Sequence, residues 1–360
     1  MIHLLFWTAA FIVLGASLGI LYQTLGTRRD ARVHPPPGST VDLGTHRLHV
    51  LEQGSGAPTI LLEAGLMSTV LSWKPLLEKL SRSYRVVSYD RAGLGWSDLG
   101  PMPRTADRIV DELHLMLQRA GIPPPYVLVG HSFGGLTMPL FAARYPEETA
   151  GMVLVDAVTP AEWNPPSEQD AKLVRIGAKV CRRAALLSRL GLIRFIAFLL
   201  TTGAKGPAGY LVRMISRGTP AQSGTVSSPW FWALPENERA MASVFWVQEK
   251  FALTIASQLE NLPMNAERVS EVGYPPDKPV VILSAATSSP RRHEEHAALA
   301  GSLPLGHHVT AEKSNHWIMQ EQPALVLEAI QRVAGFSKES QPAFPAQENL
   351  LKHVASGLSK

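Results

Sequence analysis

A serine hydroxyl becomes a useful nucleophile only when a base can take its proton and its backbone presents it on a sharp turn. The residues that first suggest such chemistry are Gly130-His131-Ser132-Phe133-Gly134. This Gly-x-Ser-x-Gly run directly follows the apolar stretch Tyr126–Val129 and precedes an apolar helical pattern. A serine on a strand-to-helix turn sits on strained, closely packed backbone, which the small neighbours Gly130 and Gly134 permit. The helix that follows aims its first amides at negative charge developing there. A glycine-rich turn without chemistry is the alternative, and the strand–turn–helix context speaks against it. A second match, Gly15-Ala16-Ser17-Leu18-Gly19, lies inside an uncharged apolar segment, where the Gly15/Gly19 spacing reads as helix packing.

The elements that must position Ser132 are legible as an alternation of apolar runs and helical stretches. Strands are predicted at His46–Glu52, Thr59–Glu63, Arg85–Tyr89, Tyr126–Val129, Met152–Val155, Pro279–Ser284 and His307–Ala311. Runs such as Ile60-Leu61-Leu62 and Val280-Val281-Ile282-Leu283 do not alternate with polar residues. They suit strands buried on both faces, as in a parallel sheet. Helical patterns such as Ala106–Ala120 and Ala324–Val333 fall between them, so the fold class expected is doubly wound α/β. Residues 41–158 and 273–336 form the expected core. Between them, 159–272 lacks convincing strands and reads as an inserted helical cap. Within it, Ala184–Leu200 is very apolar but punctuated by Arg189 and Arg194, which suits a cap helix over the site or at a bilayer surface better than a second span.

The chain's 360 residues are 46% hydrophobic and 18% charged, enough for one large domain with an insertion. Its net charge of +4 is scattered and accompanies no nucleic-acid module, so no nucleic-acid partner is expected. The single cysteine, Cys181, excludes an intrachain disulfide. Ile2–Gly26 carries no charged side chain, and as a helix these residues span a hydrocarbon core of about 30 Å. Residues 1–26 are therefore expected to be a single-pass membrane anchor, with Trp7 and Tyr22 towards its ends. A cleaved signal peptide is the alternative, but no basic residue precedes the apolar run and no clear cleavage motif follows. Arg28, Arg29 and Arg32 place the catalytic domain on the cytoplasmic side. A proline-stiffened linker is expected at 27–40 and a polar, peripheral tail at 337–360.

The Gly130–Gly135 segment is accompanied by Tyr89-Asp90-Arg91-Ala92-Gly93-Leu94-Gly95-Trp96-Ser97-Asp98, by Tyr145-Pro146 with Met152–Ala157, and by Asn315-His316-Trp317. Over roughly residues 40–335 this set resembles the α/β-hydrolase family. The resemblance implies a mostly parallel eight-stranded sheet with helices on both faces and a cap inserted after the sixth strand. It also implies a triad in the order Ser, acid, His, which makes His316, in the turn after the last strand, the base for Ser132. His131 is expected to point away from the nucleophile, and His293 and His296 to be solvated. Many relatives carry an Asp after the seventh strand, where this chain reads Ser284-Ala285-Ala286-Thr287-Ser288-Ser289-Pro290. Some use an acid after the sixth strand, which here is Asp156. Glu294 and Glu295 are the rivals, and without any of them a Ser–His dyad remains. The oxyanion hole is expected from the backbone amides of Phe133 and Leu66. Asp90 and Arg91 are read as a loop packed beneath the site. Trp230-Phe231-Trp232 and Phe245-Trp246 are read mostly as cap core, with an acyl pocket as the alternative.

These residues point to a carboxylic-ester hydrolase acting on hydrophobic or lipid-like esters. Thioesterase, amidase and acyltransferase chemistry use the same groups, and a catalytically silent binding protein is the alternative from another class. Dehalogenase and epoxide hydrolase relatives carry Asp where this chain has Ser132. No metal or redox cofactor is implied; the expected partners are a small hydrophobic ester and the lipid bilayer. The oligomeric state is not legible.

Overall fold

In a computed structural model, residues 1–201 and 236–336 are described; the tail 337–360 and Trp230-Phe231-Trp232 lie outside them. Eight strands, β1 (Ser39–Asp42), β2 (Arg47–Gln53), β3 (Thr59–Glu63), β4 (Arg85–Tyr89), β5 (Tyr126–His131), β6 (Thr149–Val155), β7 (Val280–Ala285) and β8 (Gly306–Ala311), form one sheet. Their order is β1-β2-β4-β3-β5-β6-β7-β8, antiparallel at β1/β2 and β2/β4 and parallel elsewhere.

Alternation within the strands builds a core on each face. Ile60, Leu62, Val127, Val129, Val153 and Val155 enter one apolar cluster, and Leu61, Leu128, Met152 and Leu154 enter the other. Burial of each such side chain contributes about 1.5–3 kcal/mol, which is what makes the sheet a stiff base for the loops at its edge.

The helices are α1 (Ile2–Val33), α2 (Lys74–Leu80), α3 (Ala106–Arg119), α4 (Gly134–Arg144), α5 (Pro160–Trp163), α6 (Glu168–Arg189), α7 (Leu192–Thr201), α8 (Glu236–Trp246), α9 (Glu249–Glu260), α10 (Leu262–Val272), α11 (Pro290–Ser302), α12 (Ile318–Glu321) and α13 (Pro323–Phe336). The insertion between β6 and β7 carries α5 to α10, so its described part is helical and follows the sixth strand.

Two boundaries differ from expectation. The helix begun by the apolar N-terminal segment continues to Val33, so 27–33 is helical rather than linker. Arg28, Arg29, Asp30 and Arg32 are compatible with a helix, and Asp30 is held by Arg194 of the cap at 2.6 Å. The helix stops where Pro35, Pro36 and Pro37 begin, because a residue before proline is pushed out of the helical region. The end of the expected linker, Ser39 and Thr40, belongs to β1, whose pairing with β2 is a tertiary event that four residues do not announce. α1 is long and apolar enough to cross a membrane, and it is the one such helix among the described residues.

Candidate active site

The parallel strands end together, and the loops after β3, β5, β6 and β8 meet there. Among the described residues, the non-glycine residues with positive φ are Met67 (55°), Ser132 (52°) and Asp156 (41°). Each follows a strand of this cluster, at β3, β5 and β6. Left-handed backbone at non-glycine residues costs about 1–3 kcal/mol each and persists only where its surroundings enforce it. Here the enforcement is visible. Ser132 N donates to Val155 O at 3.1 Å, and Ser132 O accepts from Gly135 N at 2.9 Å and Val158 N at 2.8 Å. A Cβ on Gly130 would lie 2.7 Å from Gly134 O, so the turn closes only with glycine at 130.

Asp156 is buried, and both its oxygens are occupied. Oδ1 accepts from Ala285 N at 3.1 Å and from Ser288 Oγ at 2.6 Å. Oδ2 accepts from His316 Nδ1 at 2.6 Å and faces Arg292 Nη1 at 3.4 Å. Burial alone raises a carboxyl's pKa, but His316, Ser288 and Arg292 together outweigh it and hold Asp156 well below the usual carboxylate range. Asp156 is thus ionised at neutral pH and fixes the His316 proton on Nδ1, which leaves Nε2 as the basic nitrogen. Glu295 is turned elsewhere, accepting from the Thr159 hydroxyl and from Arg291 Nε at 2.7 Å, and Glu294 is exposed. The loop after β7 carries no carboxylate as far as Pro290; it supplies Ser288 to Asp156 instead, and the last residue of β7 supplies the Ala285 amide.

His131 differs from expectation. Its ring packs against that of His316, with centroids 4.6 Å apart, and its Nε2 donates to His316 O at 2.9 Å. Burial, then the neighbouring His316, pushes its pKa well below the usual value, so it is neutral. This contact ties the residue next to Ser132 to the loop that carries His316. Ser132 Oγ makes no hydrogen bond to His316 among the described residues. His296 is also not solvated: it is buried, with Nδ1 2.7 Å from Ser284 Oγ and Nε2 donating to Ala157 O at 2.8 Å.

The turn after β3 is closed by Ser68 N donating to Gly65 O at 3.2 Å, with Leu66 and Met67 at its corner. Positive φ at Met67, the third residue, suits a type II turn. Arg91, buried beneath it, donates to Glu63, to Ala64 O and to Gly65 O, the last at 2.6 Å. Because C=O and N–H are antiparallel in a trans peptide, the Leu66 amide points away from the guanidinium. The same guanidinium lies 5.0 Å from the Phe133 ring centre. Phe133 precedes the first residue of α4, so its amide is among those a helix leaves without an internal acceptor. Beyond its place in the loop after β4, no local signal marks Arg91 for this role.

Gly65 leaves no room for a side chain, since a Cβ there would meet His131 Nδ1 at 2.8 Å and Ser132 Cβ at 3.2 Å. Gly65→Ala is therefore expected to displace the turn and lower kcat about 10-fold or more, since a misplacement near 1 Å is enough for such losses. Steady-state kinetics on the variant, with its melting temperature as a control for folding, checks this.

Above the site, Phe133 and Leu136 share an apolar cluster with Leu262, Ala266 and Val269 of α10, against which Leu66, Trp163, Val174 and Leu259 also pack. The cap thus meets the core at the turn that carries Ser132 through apolar side chains. Phe245 is core, as expected, buried with its ring 4.8 Å from Trp96.

A strained serine after β5, an Asp–His pair from the loops after β6 and β8, and a cap after β6 on this sheet define an α/β hydrolase. The sequence matches the family model described as alpha/beta hydrolase fold over residues 58–323, and the chain belongs to that family. It is similar to a probable transporter, efuK, of Hormonema carpetanum, with 40% identity over 127 residues, 33% of this chain and 18% of that protein. It is also similar to human epoxide hydrolase 4, with 32% identity over 178 residues, 42% of this chain and 49% of that one. The chain therefore spans less than half the length of these two curated relatives. Among solved structures, an epoxide hydrolase mutant of Vigna radiata superimposes with a TM-score of 0.58 at 18% identity, covering 82% of this chain and 97% of that one.

Proposed function

We propose that this protein is a membrane-anchored serine hydrolase of carboxylic esters with apolar acyl or alcohol groups. The observation that carries the reading is the buried, ionised Asp156 holding His316 Nδ1 at 2.6 Å beside a serine at φ 52°. Ser132 Oγ attacks the carbonyl carbon while its proton passes to His316 Nε2. The resulting oxyanion is held by the amides of Phe133 and Leu66. The imidazolium then protonates the departing alkoxide, the alcohol leaves, and the acyl-serine remains. Water attacks that ester with His316 again as base, and Ser132 is regenerated with release of the acid. Hydrogen bonds between nucleophile and base often tighten only once substrate is bound, so a free Ser132 hydroxyl is compatible with this sequence.

Two features support the substrate class. The cap closes on the site through the apolar cluster around Phe133, and an apolar substrate entering there replaces apolar contacts rather than stranding polar ones. α1 supports an anchor in the bilayer, with Arg28, Arg29 and Arg32 favouring the cytoplasmic side. Epoxide opening, the activity named for two of the relatives, is disfavoured by the nucleophile itself. Attack of a serine oxygen on an epoxide forms an ether, which carries no carbonyl for water to attack. Turnover of p-nitrophenyl esters of graded acyl length and of an aryl epoxide, by the detergent-solubilised full chain, tests the reading. Ester hydrolysis that rises with acyl length and vanishes in Ser132→Ala is expected. Epoxide turnover, or ester turnover that survives Ser132→Ala, contradicts it.

A further inference from the structure

We propose that the elbow between α6 and α7 is a second membrane-binding surface, packed against α1 and immersed at the same leaflet, so that the cap is held on the bilayer. The proposal rests on the reading of α1 as a membrane anchor. α1 and the elbow fit tightly. A Cβ on Gly19 would lie 2.2 Å from Leu190 O, and one on Gly191 would lie 2.6 Å from Gly19 O. Gly191 also takes φ 73°, which glycine adopts without strain. The two glycines thus let backbone meet backbone, the device by which small residues bring helices together in membranes.

The contact continues along one face of α1 as a polar seam. Arg194 of α7 donates from Nε to Gln23 Oε1 at 3.0 Å and from Nη2 to Thr27 Oγ1 at 3.3 Å, and it pairs with Asp30 at 2.6 Å. Gln23 is buried, and its Nε2 donates to Val247 O of the cap at 3.0 Å. A free tether needs none of these contacts. Positions 19, 23, 27 and 30 recur at helical spacing, so the docked face runs about 16 Å along the helix. Counted from Ile2, about 20 residues fill a hydrocarbon core, which puts Gly19 and Tyr22 at its edge. Leu190 and Gly191 are therefore at that edge too.

What the elbow exposes fits this depth. Leu186 is 59%, Phe195 44% and Phe198 52% exposed, on the two helices that flank Leu190–Gly191. Exposed apolar side chains of this size mark an interaction site, and the turn that joins the two helices packs against Gly19 of α1, which the exposed Leu18 and Ile20 flank. Beside the seam, a cleft of about 430 Å³ is lined by Thr24, Thr27, Arg28, Arg189, Lys250 and the one carboxylate of Glu249, a polar and mostly cationic surface of the kind a headgroup layer meets. An interfacial segment with apolar side chains below and arginines above is how a protein lies in a bilayer surface.

The test uses the full chain in a Cys181→Ser background, with single cysteines at Ile12, Leu186 or Phe195 carrying an environment-sensitive fluorophore. Each protein is reconstituted into phosphatidylcholine–phosphatidylglycerol vesicles, and retained hydrolysis of a short soluble ester shows that it is folded. The expected result is that probes at 186 and 195 lose most of their emission to a lipid nitroxide placed near the headgroup and are shielded from aqueous iodide. The probe at 12 is expected to be quenched by a nitroxide deep in the acyl region. Iodide quenching at 186 and 195 with the probe at 12 still embedded overturns the elbow proposal and leaves the anchor standing. Iodide quenching at all three overturns both.

Discussion

Asp156→Asn is expected to lower kcat by about 10⁴-fold while leaving KM and the fold nearly unchanged, the order of loss seen when a triad acid becomes an amide. Asn keeps the shape of the side chain and can still accept from Ser288 and the Ala285 amide. It removes the charge opposite His316 Nδ1 and can present an NH₂ there, which selects the tautomer with the wrong nitrogen basic. The pH profile adds a second readout. Asp156 itself, held ionised below the usual carboxylate range, adds no inflection near neutrality. Near-normal turnover in Asp156→Asn leaves no second acid on His316 among the described residues, because Glu295 is engaged by Thr159 and Arg291 and Glu294 is exposed. A Ser–His dyad would then be the remaining account.

Arg91→Lys is expected to cost about 10²-fold in kcat, the effect of losing one well-placed oxyanion donor. The lysine keeps a positive charge beside the buried Glu63, so the damage of stranding an uncompensated charge is avoided. A single ammonium does not reproduce the planar fork that holds Glu63, Ala64 O and Gly65 O together. The Leu66 amide then loses its fixed direction, and the arginine's contact with the Phe133 ring is lost as well. A positioning role predicts that kcat falls much more than KM rises, with little change in melting temperature. A merely structural role predicts the reverse: lower melting temperature with kcat per folded molecule intact. Kinetics and thermal denaturation of the same preparation separate the two.

Much of this was legible in the sequence because it depends on local chemistry. Ile60-Leu61-Leu62 and Val127-Leu128-Val129 announce buried strands by their lack of alternation, and they pair as adjacent parallel strands. Gly130, Ser132 and Gly134 announce the turn because only small residues fit it. The long strand-free interval after Val155 announces the cap. Less legible were features made by pairing distant residues. Nothing near Arg91 tells that its guanidinium holds the carbonyls of Ala64 and Gly65, and nothing near Asp30 tells that Arg194 pairs with it. His296 reads as solvated beside Glu294 and Glu295, yet a single helical step turns it inward to Ser284 and Ala157. For Asp156, chain order narrowed the choice, whereas its partners Ser288 and Arg292 come from a loop and a helix more than a hundred residues away.

The proposed reaction requires Ser132 to carry the acyl group during turnover. The most direct measurement is intact-mass analysis of the full chain quenched in acid milliseconds after mixing with an activated hydrophobic ester, followed by peptide mapping of the adduct. An acyl adduct on Ser132 is expected, absent in Ser132→Ala and far slower to form in His316→Ala. An adduct on another residue, or turnover of the ester with no adduct at any time, contradicts it.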